Sequence, residues 1–163
     1  MAAEASVEEV RAVAGKERPL DPRRFLTKEE QREILRAIEE VERRSTCEIR
    51  VHITRRVKGD VMEEAVKTFR KLGMYRTIHR TGVLFFLATE NRAFAVVGDE
   101  GIHAKAGEGF WKEAAGKIEE YFRRGEFGNG LIAGIREVGR ILETHFPITP
   151  DDVNELPDDI SFE

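Results

Sequence analysis

The chain has 163 residues, of which 40% are hydrophobic and 36% charged, with a net charge of −4 and no apolar run near the ~18 residues that a membrane span requires. This suits one globular domain with room for a core, excludes a membrane-spanning protein, and leaves no strongly basic face for nucleic acid. The charge-rich composition, with Gln31 as its one glutamine and Asn91, Asn129 and Asn154 as its three asparagines, follows the trend of proteins from heat-loving organisms.

Residues 1–24 carry Pro19 and Pro22 and only a weak helical pattern, and read as a flexible N-terminal arm. Glu4, Glu8 and Glu9 stand where a secretory signal needs a basic start, so the expectation is a cytoplasmic protein. Thr27 and Glu30 fit a capping box, after which Ile34, Leu35, Ile38 and Val41 recur at helical spacing to about Arg44. Cys47 to Thr54 alternates: Cys47, Ile49, Val51 and Ile53 face one way, Glu48, Arg50, His52 and Thr54 the other, as in a strand with one wetter face. Asp60 and Glu63 repeat the capping logic ahead of a helix that ends at Gly73.

Val83–Ala88 and Ala93–Val97 are apolar at successive positions, so both faces of these strands must be covered. Four residues, Thr89 to Arg92, separate them, too few for a parallel crossover, so the two are antiparallel neighbours. The preceding strand–helix–strand unit makes the first strand parallel to the second. Glu108–Arg124 reads as a helix burying Phe110, Trp111, Ile118 and Phe122, and Asn129 is placed to cap a last helix stopped by Pro147. Residues 148–163 form an acidic tail. The expected fold is a three-layer α/β/α sandwich, a small mixed sheet covered by about four helices, with residues 25–147 as the domain.

Strand polarity brings Glu48, His79, Arg80, Asp99 and Glu100 to one end of the sheet, with His103 close behind. Carboxylates short of basic partners either gain proton affinity or hold a hard cation, which makes Glu48, Asp99 and Glu100 candidate ligands for Ca²⁺, with Mg²⁺ as the alternative. The competing account treats Gly98–Gly101 as a polar turn whose acids face water. Asp99, Arg80 and His103 are the candidate catalytic groups. Cys47 has no second cysteine for a disulfide or a CxxC pair, and no Walker, Gly-x-Ser-x-Gly or His-Glu-x-x-His pattern occurs.

Thr46-Cys-Glu-Ile-Arg-Val51, Arg80-Thr-Gly-Val-Leu-Phe-Phe-Leu-Ala88, Val96-Val-Gly-Asp-Glu-Gly-Ile102 and Phe127-Gly-Asn-Gly-Leu-Ile-Ala-Gly-Ile135 together resemble the TPM domain family. That family is named for the thylakoid-lumen acid phosphatase, the photosystem II repair factor and the founding membrane member. Leu72-Gly-Met74 and Phe110-Trp111 point to its short, soluble bacterial branch. The resemblance implies an α/β/α sandwich, a bound divalent cation in some members and acid phosphatase activity in the plant member. Here Gly98-Asp-Glu-Gly-Ile102 replaces the glycine-tyrosine-glycine-leucine-glutamate exit of the secreted branch. Two functions follow: a Ca²⁺-binding interaction module with a protein partner, or a weak phosphatase acting on phosphomonoesters, in which a cation on Glu48, Asp99 and Glu100 polarises a phosphoryl group that Arg80 steadies.

Overall fold

A computed structural model describes residues 18–107, 109–148 and 160–163. Among them, six helices surround one four-stranded sheet of order β3-β2-β1-β4. The strands are β1 (Glu48–Thr54), β2 (Gly82–Ala88), β3 (Ala93–Gly98) and β4 (Ile160–Phe162). β1 runs parallel to β2 and to β4, and β2 antiparallel to β3. The mixed sheet and its covered faces are those expected from the sequence, with one strand more.

Every residue of β2 is buried, because helices cover both faces. On one face α2 (Lys28–Arg44), α5 (Gly109–Arg123) and α6 (Phe127–His145) build the larger core, including Ile38, Ile49, Phe85, Val96, Trp111, Ile118 and Ile135. On the other, α3 (Val61–Lys71) packs Ala65 and Phe69 against Leu84, Phe86, Ala95 and Val97. The period-two alternation of β1 to β3 sorts the side chains between these two cores.

Local chemistry sets the helix ends. Thr27 and Glu30 form the full reciprocal capping box of α2, and Asp60 accepts a hydrogen bond from the Glu63 N–H at the start of α3. Gly73 takes φ 72°, the left-handed conformation that ends α3 and leads into a 3₁₀ turn at Met74–Arg76. Two expectations change. α6 begins at Phe127, so Asn129 lies inside its first turn, and Glu126 stands at the N-cap with no side-chain hydrogen bond. A separate helix, α4 (Glu100–Ala106), starts directly after β3, so Gly98–Gly101 is a helix start rather than an open turn.

The ends of the chain add to the domain. α1 (Pro22–Phe25) seats Phe25 edge-on against Phe127, and Arg18 lies over both rings while pairing with Glu30 at 2.6 Å. β4 buries Ile160 beside Val51 at the sheet edge. Residues 1–17 of the arm and 149–159 of the acidic tail lie outside the described residues.

Phe86 is 1% exposed and its ring stacks on His52. Phe86→Ala is expected to cost about 3–5 kcal/mol through the cavity it leaves. Urea melts measure this, and a loss under about 1 kcal/mol would deny β2 its central place.

Candidate functional site

The row Glu48–Gly82–Asp99 crosses the sheet at one end: Glu48 pairs with Gly82 in register, and the Asp99 N–H donates to the Gly82 carbonyl at 3.0 Å. The acids expected at one end are thus at one end. They do not form one cluster. A Cβ on Gly82 would lie 2.7 Å from the Met74 carbonyl oxygen, so the backbone of the 3₁₀ turn sits over the middle of the row, between Glu48 and Asp99. Glu100 is on the first turn of α4 with its side chain 59% exposed.

Asp99 is 2% exposed and already engaged. Arg80 grips it in a two-pronged pair, Nε to Oδ2 at 2.8 Å and Nη2 to Oδ1 at 2.9 Å, and Oδ1 also accepts from the Glu100 N–H at 2.8 Å, capping α4. Such forked, charge-assisted bonds are among the stronger polar contacts a protein makes. The hydrogen bonds that Arg80 donates to Asp99, then the charge of Asp99 and that of Glu100 at 4.0 Å, hold the Arg80 guanidinium above its ordinary proton affinity.

Backbone geometry aims this pair. Arg80 has φ 56°, a conformation that costs a residue with a side chain and is kept only where its surroundings enforce it. The enforcing contacts are hydrogen bonds from the Arg80 N–H to Thr77 O, from the Thr81 N–H to Thr77 Oγ1, and from the Gly101 N–H to Arg80 O at 3.0 Å. A Cβ at residue 101 would fall 2.2 Å from the His79 carbonyl oxygen, and one at residue 98 would fall 2.2 Å from the Trp111 ring. The two glycines flanking Asp99 are therefore close-approach positions.

The pair forms part of the wall of a pocket of about 360 Å³. Val66 and Phe69 of α3, Tyr75 and Val97 supply an apolar lining, and Arg70, Arg80, Asp99 and Glu100 the polar part. Arg76 braces the Tyr75 ring from 5.6 Å. Arg70, in the last turn of α3, is exposed and pairs with no acid among the described residues. The size and the balance of lining are those of a small-ligand site. Arg70 and Tyr75 were missed from the sequence, where only their neighbours Val66 and Phe69 declared themselves, as members of the apolar stripe.

The remaining candidates are dispersed. His103 sits on α4 outside the pocket lining, and its Nδ1 is buried with no hydrogen-bond partner among the described residues. His79 is exposed. No group of three or more His, Cys, Asp or Glu side chains among the described residues is placed to hold a metal ion. As arranged, Glu48, Asp99 and Glu100 are not gathered into a Ca²⁺ centre, which takes about six to eight oxygens, and each Asp99 oxygen already accepts a hydrogen bond from Arg80. The pocket lining also lacks a serine, threonine, cysteine or histidine.

With this geometry in hand, the profile of the TPM domain matches residues 20–141, and the chain belongs to the TPM domain family. A similar solved structure is the NMR structure of the BA42 protein from the psychrophilic bacterium Bizionia argentinensis, 37% identical, covering 85% of this chain and 96% of that one at a TM-score of 0.81. No curated protein matched. Among the described residues no helix is long and apolar enough to cross a membrane.

Replacing Asp99 separates its two roles. Asp99→Ala is expected to lose the Arg80 pair and, through the missing cap, about 0.5–2 kcal/mol besides, whereas Asp99→Asn, which keeps a capping oxygen, loses less. Chemical denaturation of the two variants checks the order, and equal losses would remove the cap from the account.

Proposed function

We propose that this TPM domain is a binding module whose α3–β3 pocket takes an anionic group carried on an apolar or aromatic body. The observation that carries this reading is the combination, in one pocket, of an apolar wall with the Arg70 guanidinium unpaired among the described residues. Arg80 is held by Asp99 and contributes a fixed positive edge, while Arg70 is available for a charge-assisted bond to the ligand. Binding is favoured over turnover because a phosphoryl transfer needs a nucleophile and a group to accept its proton. Asp99 is the one buried carboxylate in the lining, and Arg80 occupies it.

A Ca²⁺-dependent module is the second reading, favoured by the arrival of Glu48, Asp99 and Glu100 at one end of the sheet. It requires Arg80 to release Asp99 to the ion. A phosphatase acting through that ion is the third, and rests on the family resemblance.

Titration with p-nitrophenyl phosphate, with and without Ca²⁺, distinguishes the three. The expected result is saturable binding without release of p-nitrophenol, weakened on the order of tenfold in Arg70→Ala, the loss of one charge-assisted hydrogen bond. Binding unchanged by that substitution would overturn the pocket reading. A Ca²⁺-dependent rise in melting temperature, equivalent to about 2.7 kcal/mol at a hundredfold excess over Kd and abolished by Asp99→Asn, would establish the second reading. Metal-dependent release of p-nitrophenol that Asp99→Asn abolishes would establish the third.

A further inference from the structure

The short strand β4 lies beside an unusual group for a sheet edge, a buried histidine. His52 is 2% exposed, although its strand position suggested the wetter face. Its Nδ1 lies 2.7 Å from the Ser161 hydroxyl, its Nε2 is 3.5 Å from the Glu163 carboxylate, and the Phe86 ring covers one face at 5.7 Å. Glu163 is tied in turn to Lys71 of α3, and its N–H donates to the Ile53 carbonyl at 3.0 Å. Ser161 and Glu163 thus straddle one imidazole from the α3 side of β4, while Ile160 enters the opposite core.

From this geometry we infer that His52, Ser161, Glu163 and Lys71 form an acid-released latch, which holds β4 on the β1 edge near neutral pH and frees that edge when the imidazole is charged. The groups around the ring are Arg50 on its own strand, Lys71 with Glu64 behind it on α3, and Glu163 on β4. Burial comes first in setting the balance and opposes the charged ring. Lys71 and Arg50 add to that opposition, and Glu163 partly offsets it. His52 is accordingly held below the ordinary value of 6.5 while β4 is docked. Of these effects β4 supplies part of the burial and the Glu163 carboxylate; with burial the larger, the docked ring holds its proton less tightly than the undocked one, so docking weakens as pH falls into the range where the imidazole is charged. Glu163, held low mainly by its hydrogen bond to Lys71, withdraws its own contribution only when acid reaches it, below 4.5. Both terms act in the same direction. Release exposes unpaired backbone N–H and C=O groups of Val51 and Ile53, an edge open to another strand.

Hydrogen exchange of the Ser161 and Glu163 amides, whose N–H groups face β1, in the full chain and corrected for intrinsic rates, reads the latch directly, and the His52 ring resonances give its titration. One proton links at most about a tenfold change per pH unit. Protection of these amides is expected to fall severalfold between pH 6.5 and 5.5 while β2 amides keep theirs. In His52→Gln, which keeps a hydrogen-bonding group and does not titrate, that fall should vanish. Should this variant fail to fold, Glu163→Gln serves: without the compensating carboxylate the loss of protection over the same range should be larger than in the wild type. Protection that is flat with pH in the wild type, an acid loss retained in His52→Gln, or a loss not enlarged in Glu163→Gln would each overturn the latch.

Discussion

The turn that carries Arg80 lies against the first turn of α4 only because residue 101 has no side chain, and much of the candidate site depends on that approach. Any Cβ there would meet the His79 and Arg80 carbonyl oxygens at 2.2 and 2.7 Å, both rigid backbone atoms. With the approach allowed, the Gly101 N–H reaches the Arg80 carbonyl, Arg80 is held at its positive φ, and its guanidinium lands on Asp99. The pair closes the polar side of the pocket, and the apolar side is a by-product of packing α3 on β3. The Arg80–Asp99 side of the pocket, assembled from core contacts and backbone hydrogen bonds, is preorganised, whereas the exposed Arg70 side chain is not.

The parts of this structure legible in the sequence are those set by local periodicity. Apolar runs at Val83–Ala88 and Ala93–Val97 with four residues between them leave one arrangement, and the structure has it. The capping box at Thr27 and the glycine stop at Gly73 are equally local. Strand polarity also carries far enough to bring Glu48, Arg80 and Asp99 to one end. It does not tell which groups there meet. Polarity fixes which end of a strand a residue occupies, but the Met74 carbonyl laid over Gly82 and the close approach at Gly101 are tertiary facts without a periodic signature. Arg70 was illegible for a related reason. On a helix rich in charge, one arginine differs from the rest only by the pocket it borders.

His52 marks the second limit of pattern reading. Alternation in β1 correctly separates two faces, yet calling the face with Glu48, Arg50, His52 and Thr54 wetter assumes that polar residues mean water. Here Glu48 and His52 are both buried, because α3 covers that face and β4 closes its edge. The missing information sits at the far end of the chain. Ile160-Ser-Phe-Glu163 is too short to stand out as a strand, and it becomes one because its alternation matches that of β1, with Ile160 to one core and Ser161 to the histidine. Three residues of pairing are a weak hold by themselves, and Ile160 and Phe162 on the larger core and Ser161 and Glu163 on the histidine side add to it.

Family membership and site chemistry are separable in this chain. A likeness at 37% identity over nearly the whole of a solved relative establishes the sandwich, since the sheet register and both cores depend on apolar pattern rather than on particular polar groups. A fold carries no chemistry of its own; the constellation at the site does. Here that constellation pairs the one buried acid of the pocket lining with an arginine held in place by backbone geometry, and leaves a second arginine beside an apolar wall. An ion seeking Asp99 competes with the Arg80 guanidinium for both carboxylate oxygens and with the Glu100 N–H for Oδ1, so metal binding there would weaken the pair and the cap of α4. An anion approaching Arg70 displaces nothing among the described residues. The two routes differ in what they disrupt, and that difference is the physical ground for placing ligand recognition ahead of metal chemistry in this member of the family.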